Sequence, residues 1–160
     1  MSESVIVYPG FFDPITLGHT NIVKRATGAF DRVVIALSKD SSKDPLFTFE
    51  ERHALIDSIY ATNRQVSVET FEGLLVHYLE KKSYRTVLRG LRTVSDFEYE
   101  FQMALANKTM NAEIETFFMM TDSKYSFISS TLIKEIARLG GSVREMVPGM
   151  VCESLERKFA

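Results

Sequence analysis

Three short stretches of the chain carry residue types suited to handling phosphate. The first is Gly10-Phe11-Phe12-Asp13-Pro14-Ile15-Thr16-Leu17-Gly18-His19. It lies between a strand-like run and a helical pattern. A glycine at such a turn lets the backbone approach a ligand closely. Gly18 and His19 fall in the first turn of the following helix, where free N–H groups and the helix dipole favour an anion. An imidazole there can donate a hydrogen bond to a phosphate oxygen as charge builds on it. The same residues also suit a plain turn followed by a partly exposed histidine, and this stretch alone leaves both readings open.

The second stretch is Arg89-Gly90-Leu91-Arg92. Guanidinium forks match phosphate oxygens, so two arginines around a glycine can clamp a phosphate; a solvated turn is the alternative. The third is Tyr125-Ser126-Phe127-Ile128-Ser129-Ser130-Thr131. Three consecutive hydroxyl residues open a helix, and one must be its N-cap. The others, with the free N–H groups, can hold a second phosphate. Asp96 and Glu98 read as partners of a helix dipole. Lys43 sits in a polar loop, Lys39 to Pro45, where lysines are mostly solvated.

Other chemistries lack their residues. The chain has no G-x-x-x-x-G-K-[ST] loop, no G-x-G-x-x-G turn, no G-x-S-x-G elbow, no C-x-x-C and no H-E-x-x-H. That argues against P-loop kinases, simple dinucleotide dehydrogenases, serine hydrolases and zinc peptidases. His19, His53 and His77 are too scattered for structural zinc, and no metal-ligand set is assigned. His53 and His77 lie on amphipathic helices and read as structural. The lone Cys152 fits a reducing compartment and, by default, packing. The net charge of −2 argues against a protein that coats nucleic acid. It does not argue against a small phosphorylated ligand, which sees a pocket rather than the average.

These stretches need elements to position them. Ser4–Tyr8, Arg32–Ser38, Gln65–Phe71, Arg85–Leu88 and Ile114–Met120 read as strands. Phe117-Phe118-Met119-Met120 is expected in a core strand. Helical periodicity covers Leu17–Phe30, Leu74–Lys82, Ser130–Leu139 and Gly149–Phe159, and Asp96–Met110 with Phe97, Phe101, Ala104 and Leu105 on one face. Thr48 and Glu51 form a T-x-x-E capping box for a helix to Tyr60. The 160 residues are expected to form a single α/β domain. Its architecture is a Rossmann-like, doubly wound, five-stranded parallel sheet with helices on both faces. Ligands of such sheets bind at the carboxyl ends of the strands near the switch in strand order. The longest apolar run, Val33–Leu37, is far too short to span a membrane, and the N-terminus does not read as a secretory signal. A cytoplasmic protein with no membrane partner is expected.

Taken together, the blocks carry a resemblance. Thr16-Leu17-Gly18-His19 and Ile128-Ser129-Ser130-Thr131-Leu132-Ile133-Lys134 resemble motifs of the nucleotidylyltransferase superfamily. Tyr8-Pro9-Gly10, Phe12-Asp13-Pro14-Ile15-Thr16, Arg89-Gly90-Leu91-Arg92, Asp96-Phe97-Glu98-Tyr99-Glu100 and Ser126–Ser130 look like the bacterial phosphopantetheine adenylyltransferase family. The resemblance covers nearly the whole chain from Val5. It implies reversible transfer of the adenylyl group of ATP to 4′-phosphopantetheine. The products would be dephospho-coenzyme A and pyrophosphate, in the penultimate step of coenzyme A synthesis, by in-line attack without a covalent intermediate.

By the same resemblance, His19, Lys43 and Arg92 would be catalytic. Phe11, Lys43, Leu75 and Arg89 would bind 4′-phosphopantetheine. Gly10, Phe11, Phe12, His19, Gly90, Leu91, Arg92, Glu100 and the run Tyr125, Ser126, Phe127, Ile128, Ser129, Ser130, Thr131 would bind ATP. Mg²⁺ would ride on the ATP phosphates. A homohexamer and feedback inhibition by coenzyme A are further implications. One position departs from the family, which usually has Thr or Ser before F-D-P. Phe11 stands there instead. It cannot supply that hydroxyl to the substrate phosphate, but its backbone N–H remains, and binding is expected to survive through the backbone, Lys43 and Arg89. A related nucleotidylyltransferase with another acceptor, or a nucleotide- or coenzyme-A-binding protein without catalysis, are the alternatives.

Overall fold

A computed structural model describes residues 2–40 and 44–160. In chain order the elements are β1 (Val5–Gly10), α1 (Leu17–Ala26), β2 (Arg32–Ser38), α2 (Phe49–Tyr60), β3 (Val66–Phe71), α3 (Leu75–Lys82), β4 (Thr86–Leu91), α4 (Val94–Met110), β5 (Glu115–Met120), a 3₁₀ turn (Ser123–Tyr125), α5 (Ser130–Arg138) and α6 (Gly149–Phe159). The strands form one parallel sheet in the order β3-β2-β1-β4-β5. The chain fills one side of β1 first and then the other, so the strand order reverses between β1 and β4. A crevice opens at the carboxyl ends of strands at such a reversal. β1 runs in register with β2 from Val5 opposite Arg32 to Gly10 opposite Leu37. With β4 it registers at Val7 opposite Val87 alone.

Side chains alternate across the pleat. Ile6, Tyr8, Val33, Ile35, Leu37 and Leu88 pack against Ile22, Val23 and Ala26 of α1, Ile56 of α2, Ile133 of α5 and Leu155 of α6. Val7, Val34, Ala36 and Val87 face the other way, onto Val76 and Leu79 of α3. Burial on both faces is why these strands read as continuous apolar runs.

Several boundaries differ from expectation. α1 stops at Ala26, four residues before Phe30, and the Thr27 and Gly28 N–H groups fold back onto the Val23 and Arg25 carbonyls. β4 continues to Leu91, so Arg89, Gly90 and Leu91 belong to the strand rather than following it. α4 starts at Val94 because the Thr93 hydroxyl caps it, accepting from the Asp96 N–H at 3.1 Å. Thr48 and Glu51 form the expected capping box at α2. The apolar run in β5 is not core throughout. Phe117 is 46% and Met120 59% exposed, because β5 is the outermost strand and part of its surface is uncovered. Phe97, Phe101 and Leu105 of α4 are exposed beside it, with the Phe97 ring edge-on to Phe118.

Candidate active site

The turn after β1 is held in an uncommon shape. Phe12 has φ +50° with its ring buried, and the Asp13–Pro14 peptide is cis. The Phe12 ring leans back over Gly10, where a Cβ would lie 3.0 Å from it. It also meets the rings of Tyr8 and His19 edge-on, at 5.5 and 5.0 Å. The turn is therefore packed through its aromatic side chain. Among the described residues the Phe11 and Phe12 N–H groups have no hydrogen-bond partner.

Thr16 caps α1, and its partner in a reciprocal capping box is His19. The Thr16 N–H donates to His19 Nδ1 at 3.0 Å, and the His19 N–H donates to Thr16 Oγ1 at 3.4 Å. A ring nitrogen that accepts a backbone N–H carries no proton, so the neutral ring bears its proton on Nε2. Burial, and then the charges of Arg92 and Arg89, lower the imidazole pKa to about 4. At neutral pH His19 is thus an uncharged donor through Nε2.

Asp13 ties three segments together. Its Oδ1 accepts from the Phe47 N–H at 2.9 Å, and its Oδ2 accepts from the Leu46 N–H at 3.0 Å and from Lys134 Nζ at 2.9 Å. The segment entering α2 and the ammonium of α5 are thereby fixed against the turn. Ser130 of α5 donates its hydroxyl to the Pro14 carbonyl at 2.8 Å. From α2, the buried Arg52 donates Nη1 to the carbonyls of Phe11 at 2.7 Å and Ser38 at 3.2 Å.

Opposite, Arg89 on β4 donates Nε and Nη2 to the two Glu100 oxygens at 2.6 and 2.7 Å, and Nη1 to the Pro9 carbonyl at 2.9 Å. Burial alone would lower its pKa, but the Glu100 hydrogen bond and charge outweigh that and raise it. Three of the five guanidinium N–H groups are engaged, leaving two. At Gly90 a Cβ would sit 3.3 Å from the Ile22 side chain and 3.6 Å from the Tyr8 hydroxyl. Glycine there lets β4 close against α1. Arg92 lies beyond the strand, where Nη1 donates to the Ile128 carbonyl at 3.1 Å and Nε pairs with Asp96 at 3.3 Å. Asp96 is more than a dipole partner, because it orients Arg92 towards the hydroxyl-rich segment.

These groups surround a cavity of about 450 Å³ at the β1/β4 switch point. Of the residues singled out in the sequence, Gly10, Phe11, Phe12, His19, Arg89, Gly90 and Ser130 line it. Ser129 is instead the N-cap of α5, accepting from the Leu132 N–H. Arg92, Leu91, Tyr125, Ser126, Phe127, Ile128 and Thr131 do not line it. Neither does Glu100, which faces Arg89. Glu100 and Arg89 share with Leu75, Met103 and Asn107 a second, smaller cavity of about 100 Å³. Lys43 lies outside the described residues, though Asp44 and Pro45 after it line the main cavity.

Sequence reading passed over Tyr8, Asp13, Arg52 and Lys134 as lining residues. Tyr8, Asp13 and Lys134 stand inside the family-like motifs Tyr8–Gly10, Phe12–Thr16 and Ile128–Lys134, so their signal was present. Arg52 looks like any polar helix residue, and only the tertiary fold buries it.

A family model described as cytidylyltransferase-like matches residues 7–136. A phosphopantetheine adenylyltransferase of Solidesulfovibrio magneticus is 50% identical over 155 residues, 97% of this chain and 90% of its own length. That of Lawsonia intracellularis is 50% identical over 96% of this chain and 89% of its own. That of Caldanaerobacter subterraneus is 48% identical over 97% of both. A solved structure of a Vibrio parahaemolyticus protein, provisionally described as a nicotinate-nucleotide adenylyltransferase, superposes with a TM-score of 0.73. It covers 97% of this chain and 99% of that one at 18% identity, which speaks to the fold alone.

Proposed function

The chain belongs to the phosphopantetheine adenylyltransferase family, among the cytidylyltransferase-like proteins, and from that premise we propose how its cavity works. The enzyme is a nucleotidyltransferase that moves the adenylyl group of ATP onto 4′-phosphopantetheine, releasing pyrophosphate and forming dephospho-coenzyme A. The observation that carries the site assignment is the gathering of His19, Arg52, Arg89 and Lys134 around one cavity at the switch point. No activated nucleophile stands among them. Such a set performs catalysis by positioning and charge stabilisation.

In this reading the acceptor phosphate oxygen attacks the α-phosphorus in line. Its new P–O bond forms as the α–β bridging P–O bond breaks, and pyrophosphate leaves with that electron pair. His19 Nε2–H donates to a phosphate oxygen as charge builds on it. The two unengaged N–H groups of Arg89 receive the acceptor phosphate, and Leu75 in the adjoining small cavity meets the pantetheine arm. Lys134 and the Ser129–Thr131 segment hold the polyphosphate, while Arg92 and Tyr125–Ile128 bound the nucleotide. Lys43, by its place in the loop before Pro45, is assigned to the pantetheine phosphate and the transferring phosphoryl group. Glu100, which the family resemblance gives to ATP, acts in this reading through Arg89 on the acceptor side.

Mg²⁺ is read as part of the ATP substrate. Among the described residues no three His, Cys, Asp or Glu side chains gather into a metal-holding group. The cavity-lining Asp13 already accepts from two N–H groups and an ammonium.

The same reading treats residues 1–160 as one nucleotidylyltransferase domain working in the cytoplasm. Among the described residues no helix is long and apolar enough to cross a membrane. A homohexamer is proposed as well, supported by the apolar surface of α4 and β5, since contiguous exposed apolar patches mark interaction sites. Coenzyme A carries both the adenylyl group and the phosphopantetheine arm, and would inhibit by filling the same cavity.

The test is pyrophosphate release from ATP and Mg²⁺, with and without 4′-phosphopantetheine. Release that depends on the acceptor is expected. ATP binding without release would sink the reading, and release with nicotinate or nicotinamide mononucleotide instead would reassign the acceptor.

A further inference from the structure

Arg52 is the least expected residue of the cavity. It is only 2% exposed, and among the described residues no carboxylate lies within ion-pair distance of it. At contact distance it meets only dipoles, the Phe11 and Ser38 carbonyls on Nη1 and the Phe49 ring face 5.8 Å from its guanidinium carbon, while the Asp13 and Glu50 charges act on it from further away. Among the described residues its Nε is buried without a partner. Burying a guanidinium this way costs stability unless the surroundings compensate. A residue that merely filled the space would do so better as a hydrocarbon.

The shorter of its two carbonyl bonds goes to the peptide that matters most. Phe11 C=O and Phe12 N–H belong to one trans peptide unit, so they point to opposite sides. Gripping the carbonyl from α2 therefore aims the Phe12 N–H the other way, where it has no partner among the described residues. The positive φ of Phe12 makes this peptide costly to hold without a tether. The need is sharper in this chain, because Phe11 has no side-chain hydroxyl and only backbone donors remain at that position.

We infer that Arg52 is a positioning residue that fixes the Phe11–Phe12 peptide, so that the turn offers its backbone N–H groups to a substrate phosphate. This inference rests on reading the cavity as the adenylyl-transfer site. Arg52 itself need not touch the substrate. The recognised chemistry is a phosphate oxygen, carried by ATP or by 4′-phosphopantetheine, and separate titrations identify which.

The experiment uses the full chain with Arg52→Lys and Arg52→Gln, each also combined with Phe11→Thr. Thermal unfolding first establishes that each variant is folded at the assay temperature. Dissociation constants for ATP and for 4′-phosphopantetheine are then measured by calorimetry, alongside KM and kcat. Arg52→Gln is expected to weaken at least one phosphate ligand about tenfold, the order expected when a hydrogen bond to a charged group is lost. Arg52→Lys, which keeps the charge and one donor, is expected to lose less. Adding Phe11→Thr should recover part of the loss, because the new hydroxyl replaces the misaimed N–H. If folded Arg52→Gln binds both ligands as the wild type does, Arg52 is only a packing residue and the inference is overturned. It is overturned equally if Phe11→Thr recovers nothing. Acceptor-dependent turnover by the wild type tests the site reading separately, so the two failures are distinguishable.

Discussion

Glu100 holds Arg89 through both of its carboxylate oxygens, at 2.6 and 2.7 Å, while the same guanidinium reaches the Pro9 carbonyl at 2.9 Å. The cation at the carboxyl end of β4 is thus fixed from α4 and from β1 before any ligand arrives. Breaking a largely buried pair leaves one charge uncompensated. Glu100→Gln should therefore lose about 1.5–3 kcal/mol of stability, the range for hydrogen bonds to a charged group, read as a shift in urea midpoint. It should also raise KM for the phosphorylated acceptor more than it lowers kcat. An unchanged acceptor KM would mean that Arg89 does not need its partner to meet the ligand.

His19 offers a test of activity separate from fold. His19→Ala should lower kcat by about 10²–10³-fold, the usual cost of removing one donor aimed at developing charge. His19→Gln keeps a side chain that can complete the capping box, so its stability near neutrality should stay close to wild type while kcat still falls. A kcat within twofold of wild type for the alanine variant would remove His19 from the chemistry.

The same residue sets a pH dependence whose sign is fixed. Its folded pKa of about 4 lies below the ordinary 6.5, so between these values the unfolded chain binds more protons than the folded one. The stability this contributes is complete above pH 6.5 and is lost as pH falls towards 4. Melting temperatures of wild type and His19→Gln measured from pH 4.5 to 7.5 should coincide near neutrality and diverge at the acidic end, where the wild type falls below the variant. Parallel curves would show that the ring titrates as it does in the unfolded chain. The catalytic rate should show no inflection near 6.5 attributable to His19.

Lys134 is held by Asp13 at 2.9 Å and faces the cavity. Lys134→Met should weaken ATP at least about tenfold. Asp13→Ala should also lose about 2–4 kcal/mol, because the Leu46 and Phe47 N–H groups lose their acceptor together with the ammonium. Calorimetric titration with ATP and chemical unfolding separate the two effects. An ATP affinity untouched by Lys134→Met would place the polyphosphate elsewhere.

The apolar surface of α4 and β5 makes a prediction about assembly. Sedimentation should find a particle of about six 18.2 kDa subunits, and Phe101→Asp should yield smaller species. A wild-type monomer would refute the hexamer.

Much of this organisation was legible in the residues themselves. Short apolar or alternating runs located all five strands, and helical periodicity the helices between them, because each of these patterns is local. The Thr48–Glu51 box could be read directly for the same reason. The box at α1 carries no such signature, because its third helical position is His19 rather than Glu or Gln. The exposure of Phe117 and Met120 was also hidden, since nothing local tells a strand that it will be outermost. Arg52 is the clearest omission. A helix of this composition places charges on its polar face, and only the packing of α2 under the β1 turn makes that position interior. Phe11, by contrast, stood out in the sequence, and the structure places it on the cavity wall.

The thin pairing of β1 with β4 has a consequence for how the chain can vary. Val7 opposite Val87 is the sole register between them, and the Arg89–Pro9 bond crosses the gap further along. One side chain is therefore both a seam in the sheet and a cavity-lining cation. A neutral replacement at position 89 is penalised twice, for unrelated reasons. A compensating cation introduced elsewhere in the cavity could restore charge but not the seam, so drift at this position is closed to the single-step routes open to most surface arginines.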